Sequence, residues 1–260
     1  MKLAVCGKGG SGKSTLVALL AHEALSRKHR VVVVDSDESN PGLFRLLGFE
    51  RPPSPLLELA GGRKGVWETL EGGKGVLAKE SFGVEELPPE YVGRKEGLSL
   101  LCVGKITMVR EGCACPLGAL AREVLRRLRL AEGELLLADL EAGVEHLGRG
   151  VEEGVDVVLV VVDPSFDSIV LAGRTAQMVE RMEKRVYAVL NKVRQGRMEE
   201  RLRAEVERRG LRVAGVIHED RELFESELEG RELRAGKAWE EAGKVLDFLL
   251  GVNEDVYCHR

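Results

Sequence analysis

Short unbroken apolar runs alternate along this chain with longer stretches where apolar and charged residues recur at helical spacing. Residues 2–6, 31–34, 98–103, 134–138, 155–162, 186–190 and 213–217 read as strands. The run at 31–34 is entirely β-branched, the pattern of a strand covered on both faces. Residues 13–28, about 117–130 and 197–209 read as helices, the last strongly charged. Trp239, Ala242, Val245, Leu246, Leu249 and Leu250 form a further helical stripe, expected to pack on the body. Strands alternating with helices predict the α/β class, with a doubly wound and mainly parallel sheet. Residues at about 50–97 break the pattern, being rich in Gly, Pro, Glu and Lys without sustained periodicity. They predict a loop-and-short-helix excursion within a single domain spanning 1–260.

Composition narrows the picture. At 260 residues the chain can bury one large core, and with only 4% aromatics that core must be mostly Leu, Val and Ala. A net charge of -4 and a pI near 5.9, with no basic stripe interleaved with aromatics, argue against a nucleic-acid partner. No apolar run approaches the roughly 20 residues of a membrane span, so no membrane partner is expected. The first strand starts at residue 2 and leaves no room for a signal peptide. A cytoplasmic location follows as the expectation, with all five cysteines reduced.

Polar residues stand at the C-terminal end of nearly every predicted strand, the edge where open parallel sheets bind ligands. The first of these ends carries Gly7-Lys8-Gly9-Gly10-Ser11-Gly12-Lys13-Ser14-Thr15, and residues 7–14 match G-x-x-x-x-G-K-[ST] between a strand and a helix. Glycines let backbone amides turn toward phosphate oxygens, and the helix N-terminus adds a favourable dipole. Lys13 is placed to reach the β- and γ-phosphates and Ser14 to ligate Mg²⁺. Asp35, Asp37 and Asp139 follow strands in the same neighbourhood. Asn191-Lys192-Val193-Arg194 begins like a guanine-reading signature, but Arg194 offers only donors where a carboxylate is needed. ATP is therefore expected over GTP, with Asn191 on the base edge.

A second lysine directly after the first glycine resembles the deviant Walker A class of P-loop NTPases, which includes MinD, ParA and nitrogenase iron protein. That resemblance implies an ATP-dependent homodimer in which Lys8 reaches the partner's nucleotide, a cation near the γ-phosphate offsetting charge in phosphoryl transfer. It further implies that Asp37 orients the attacking water, that Asp35 supports Mg²⁺ or Lys13, and that Asp139 stands as the Walker B carboxylate. Relatives often carry a Pro-x-Asp segment beside the base, where this chain has His218-Glu219-Asp220.

Cys113-Ala114-Cys115 presents two thiols close together, half of a four-coordinate site for a soft or borderline metal. A twofold axis would bring four sulfurs together. Around that pair, Gly104-Lys105-Ile106 and the run 111–120 resemble the metal-binding segment of CooC proteins, the nickel-insertion ATPases of carbon-monoxide dehydrogenase. Residues 139–150, 162–168 and 189–193 continue the likeness in order. The resemblance implies a metallochaperone that holds Ni²⁺ or Zn²⁺ on Cys113 and Cys115 and serves a client nickel enzyme. The alternative is a positioning or partition ATPase of the MinD/ParA type. Cys6 and Cys102 lie in apolar strands and read as small buried residues. Cys258 sits beside His259 in the tail, and His146 falls in the second switch, as a nucleotide sensor, a metal neighbour or a plain structural residue.

Overall fold

Along β1 (Lys2–Gly7), Leu3 and Val5 turn to one face while Ala4 and Cys6 turn to the other, and all four are buried. The same two-sided burial holds for β2 (Val31–Asp35), β5 (Leu135–Asp139) and β6 (Val157–Val162), which explains their unbroken apolar sequences. These observations come from a computed structural model that describes residues 1–38, 42–105, 115–141, 150–182, 184–233 and 236–257. With β3 (Gly93–Lys95), β4 (Leu98–Cys102), β7 (Arg185–Val193) and β8 (Arg212–His218), the strands form one sheet of order β3-β4-β2-β5-β1-β6-β7-β8. Every pairing is parallel except β3 with β4 at one edge.

Helices cover both faces, as doubly wound topology requires. One face packs on α1 (Lys13–Ser26), α2 (Leu43–Leu46) and α9 (Lys237–Tyr257). The other packs on α3 (Leu56–Leu59), α4 (Gly62–Leu70), α5 (Cys115–Arg127), α6 (Phe166–Glu180) and α7 (Arg197–Glu207). A shorter helix, α8 (Arg221–Glu229), lies between β8 and α9. The stripe expected on the last helix is the buried one: Ala242, Val245, Leu246 and Leu249 join the α1 side of the core. Trp239 stacks on His22 at 5.2 Å and donates from Nε1 to Glu23.

The excursion at 50–97 holds α3, α4, three single 3₁₀ turns and the edge strand β3. It is attached rather than dangling: Leu56, Ala60, Val66, Leu77, Phe82, Val84 and Leu87 are buried against α5 and the sheet. Arg127 at the end of α5 donates to the carbonyls of Leu77 and Leu70 at 2.8 and 3.1 Å, with Nε on Glu123 at 2.8 Å. One guanidinium thus satisfies backbone acceptors that the irregular segment cannot satisfy itself. The functional edge is where β1, β2, β5, β6, β7 and β8 end side by side.

Candidate active site

The Gly-rich loop leaves β1 at Gly7, where a Cβ would stand 2.6 Å from the Val161 carbonyl oxygen of neighbouring β6. It enters α1 at Gly12, whose φ of 95° and 2.2 Å clearance to Asn191 Nδ2 admit no side chain. Between those points three carbonyls are engaged. Ser11 N donates to Lys8 O at 3.1 Å, Asn191 Nδ2 to Ser11 O at 2.7 Å, and Lys192 Nζ to Gly10 O at 2.8 Å. The orphan amides of the first turn of α1 face the same edge, the arrangement that receives phosphate. Lys192 holds φ 58°, an uncommon conformation for a side-chain-bearing residue, at the end of β7.

Beside the loop stands a set of buried carboxylates. Asp139 ends β5 fully buried, with Oδ2 accepting from Ser14 Oγ at 2.5 Å and Oδ1 buried without a hydrogen-bond partner. Burial first, then the Asp35 charge, pushes Asp139 up to about 7 against the opposing Ser14 bond. Asp35, its partner in the β2–β5 register, is pushed up to about 6 by burial, against the pull of Lys105. Lys13 Nζ lies 3.9 Å from Asp37 Oδ2, so the loop lysine meets Asp37, while Asp35 meets Lys105 at 2.7 Å. Ser36 donates to the Asp139 carbonyl from both N and Oγ, at 3.0 and 2.8 Å, locking the two strand ends together. An orphaned carboxylate oxygen among acids that resist ionisation is a place a divalent cation would relieve, and the oxygen donors fit Mg²⁺. Among the described residues no group of three or more His, Cys, Asp or Glu side chains could cage a metal.

On the far side of the loop Lys8 Nζ donates to Ser165 Oγ of its own chain at 3.1 Å. Ser165 in turn donates to Asp163 and caps α6, accepting from Ser168 N at 3.4 Å. Next to Thr15 opens a cavity of about 580 Å³. Asn191, Lys192, the 218–221 run, Leu223 and Phe224 line it. Asn191 thus borders the cavity while one of its amide hydrogens holds the loop. The His218-Glu219-Asp220 segment does form a cavity wall. Arg194 is tied to Glu219 at 2.8 Å on the exposed side. His218 Nδ1 meets Glu241 Oε1 at 2.7 Å and Nε2 meets Glu199 Oε2 at 3.0 Å, and its backbone N donates to Glu241 at 2.8 Å.

Cys6 and Cys102 are buried free thiols, as their apolar strands imply, and burial pushes both up to about 12. Cys115 opens α5 at the surface and is disulfide-bonded, which corrects the expectation that all five cysteines are reduced. Cys113, His146 and Cys258 lie outside the described residues. Lys105, Lys192, Ser165 and Glu241 are site neighbours to which the sequence assigned no role. The site partners of Lys105, Lys192 and Ser165 are 68 to 182 residues away, while Glu241 is 23 residues from His218.

The loop between β1 and α1 and the acids at the neighbouring strand ends define a P-loop ATPase. The chain belongs to the CobQ/CobB/MinD/ParA nucleotide binding domain family, whose profile matches residues 3–233. It is 40% identical over 239 residues to an uncharacterised ATP-binding protein of Methanocaldococcus jannaschii, covering 90% of this chain and 94% of that one. It is 36% identical over 187 residues to the carbon monoxide dehydrogenase accessory protein CooC of Rhodospirillum rubrum, covering 69% and 68% of the two chains. The Mg-ADP complex of MinD from Pyrococcus horikoshii superposes with a TM-score of 0.70 over 96% of this chain and 97% of that one. At 17% identity the MinD likeness speaks for the fold alone. The fold class and the CooC-like ATPase resemblance read from the sequence therefore hold. Among the described residues no helix is long and apolar enough to cross a membrane.

Proposed function

We propose that this ATPase is a metal-delivery switch. MgATP binds at the Gly7–Thr15 loop and draws two copies together, and Cys113 and Cys115 from each copy hold one Ni²⁺ or Zn²⁺. Hydrolysis separates the copies and releases nickel to a client enzyme of the carbon-monoxide dehydrogenase kind. The observation that carries the reading is the Cys113-Ala114-Cys115 sequence, whose Cys115 opens α5, in a chain 36% identical to a carbon monoxide dehydrogenase accessory protein. The disulfide at Cys115 must be reduced before the pair can ligate, because the thiolate is the metal ligand.

In this reading Lys13 neutralises the β- and γ-phosphates, and the amides of Gly9, Gly10, Gly12 and Thr15 contribute to the cradle. Ser14 ligates Mg²⁺ with Asp139 behind it, the bound ion supplying charge neutralisation of the transferring phosphoryl group. Asp37 orients the attacking water, Asp35 sets the charge of the site, and Asn191 borders the adenine. Lys8 exchanges Ser165 for the partner's nucleotide when the copies meet. The whole chain, 1–260, acts as one domain.

Replacing Cys113 and Cys115 together with Ala should abolish stoichiometric Ni²⁺ and Zn²⁺ binding in equilibrium dialysis with a non-hydrolysable ATP analogue, while ATP binding persists. Stoichiometric metal retained by the double variant refutes the delivery reading.

A further inference from the structure

Lys105 belongs neither to the phosphate loop nor to the cysteine pair, yet it bonds to the acidic strand end beside the first, and its neighbour Gly104 packs on the helix that Cys115 opens. Its ammonium donates to Asp35 Oδ1 at 2.7 Å and, at close range, to the Asp37 carbonyl. Asp35 is 3% exposed, so this lysine supplies counter-charge to a carboxylate with almost no water around it. One residue earlier, the backbone is keyed to α5: a Cβ on Gly104 would lie 2.5 Å from Leu117 Cδ2 and 3.3 Å from Leu57 Cβ. Val103 N donates to Asp35 O and Leu57 N to Val103 O, both at 2.9 Å, so the 103–105 strip has little freedom to move alone. Leu117 is 2% exposed and sits two residues after the exposed Cys115. A short contact path therefore runs from the carboxylates facing the phosphate loop, through Lys105 and Gly104, to the first turn of α5.

We infer that Lys105 is a positioning residue that reports Mg²⁺-nucleotide occupancy to the start of α5. Mg²⁺ and the Lys105 ammonium draw on the same negative potential, that of Asp35, Asp37 and Asp139, and they repel each other. Without the divalent ion, Lys105 holds the 103–105 strip against Asp35. With the ion in place that hold weakens, Gly104 loosens its seat against Leu117, and the first turn of α5 changes its exposure. Asp35 and Lys105 are packed closely enough for such a change to be a switch between two arrangements rather than a graded drift. The inference rests on the assignment of the loop as the MgATP site and does not depend on any metal at the cysteines.

The test uses the full chain with Cys113→Ser and Cys258→Ser, reduced and then freed of reductant, so that Cys115 is the reactive thiol while Cys6 and Cys102 stay buried. Iodoacetamide alkylation of Cys115 is timed without nucleotide, with nucleotide in EDTA, and with a non-hydrolysable ATP analogue plus Mg²⁺. The expected result is a rate change of at least about fivefold that requires Mg²⁺ as well as nucleotide. Lys105→Met should give one rate under all three conditions, and Lys105→Arg should restore most of the response. The Mg²⁺ concentration that half-saturates nucleotide binding should also fall about five- to tenfold in Lys105→Met, with affinity in EDTA unchanged. Nucleotide response retained in Lys105→Met overturns the inference, as does a parent chain without any response or an unaltered Mg²⁺ midpoint. Both readouts omit nickel and zinc, so a failure here leaves the delivery reading intact. Loss of metal binding in dialysis, conversely, leaves the Lys105 relay intact.

Discussion

Replacing His218 with Ala should destabilise the protein in a pH-dependent way, because its ring is held between two carboxylates on different helices. Glu241 of α9 takes one ring nitrogen and Glu199 of α7 the other, with Lys237 lying 3.8 Å from Glu241 and Arg203 at 4.0 Å from Glu199. Burial lowers the imidazole's proton affinity, but the hydrogen bonds it donates to Glu241 and Glu199 outweigh that and hold the pKa above the ordinary histidine value. A hydrogen bond to a charged group contributes about 1.5–3 kcal/mol, and the Glu199 side is partly exposed, so the Ala variant should lose ~2–4 kcal/mol near pH 6. A base with a raised folded-state pKa contributes its full stability below the unfolded value and loses it as pH rises through the folded value. Above that point the neutral ring donates once only, and the loss in the variant should shrink to roughly half. Urea unfolding monitored by circular dichroism at about pH 6 and about pH 9, with Glu199→Gln completing a double-mutant cycle, measures both numbers. An equal loss at the two pH values, or no coupling between His218 and Glu199, refutes the argument.

Three other perturbations probe the site. Gly12→Ala forces a methyl group 2.2 Å from Asn191 Nδ2 at positive φ, so it should cost ~2–4 kcal/mol and abolish binding of a fluorescent ATP analogue in titration. Asp139→Asn removes a carboxylate that burial keeps protonated up to about 7. Wild-type stability in EDTA should fall as pH rises from about 4 to about 7, and the Asn variant should lead by ~1–4 kcal/mol near pH 8. A lead of the same size near pH 5 would contradict that, and Mg²⁺-dependent phosphate release should drop at least about a hundredfold. Lys192→Ala frees the Gly10 carbonyl, and calorimetric ATP affinity should weaken about three- to tenfold with the thermal midpoint little changed.

Most of the sheet was legible because its strands are buried on both sides and carry unbroken Val and Leu, as in Val157–Val162. The edge strand β3 was not, since Gly93, Arg94 and Lys95 have no apolar alternation and owe their pairing to β4 alone. Helix α6 was equally silent, because the positions it buries are mostly small residues, Ser168, Ala172, Gly173, Thr175 and Ala176, with Val179. Of the site, the loop and its three aspartates stood out by motif and by position at strand ends. What tied them together did not: the bonds from Lys105 to Asp35, Lys192 to Gly10 and Lys8 to Ser165 depend on tertiary placement, which local pattern does not encode. The spacing of Cys113-Ala114-Cys115 suggested metal ligation, but nothing in it disclosed that Cys115 is disulfide-bonded.

The engaged carbonyls of the phosphate loop have a consequence for how a nucleotide arrives. Flipping the peptide between Gly10 and Ser11 would break the bond from Lys192, and flipping the next would break that from Asn191, so neither dipole can reverse easily. The loop is thereby committed to one polarity before any ligand is present, with the ordering entropy charged to folding rather than to binding. Association should then proceed as capture by a rigid mould, fast and with little structural relaxation, and any slow phase must originate outside the loop. The end of β7, almost two hundred residues downstream, is in this sense the back wall of the mould.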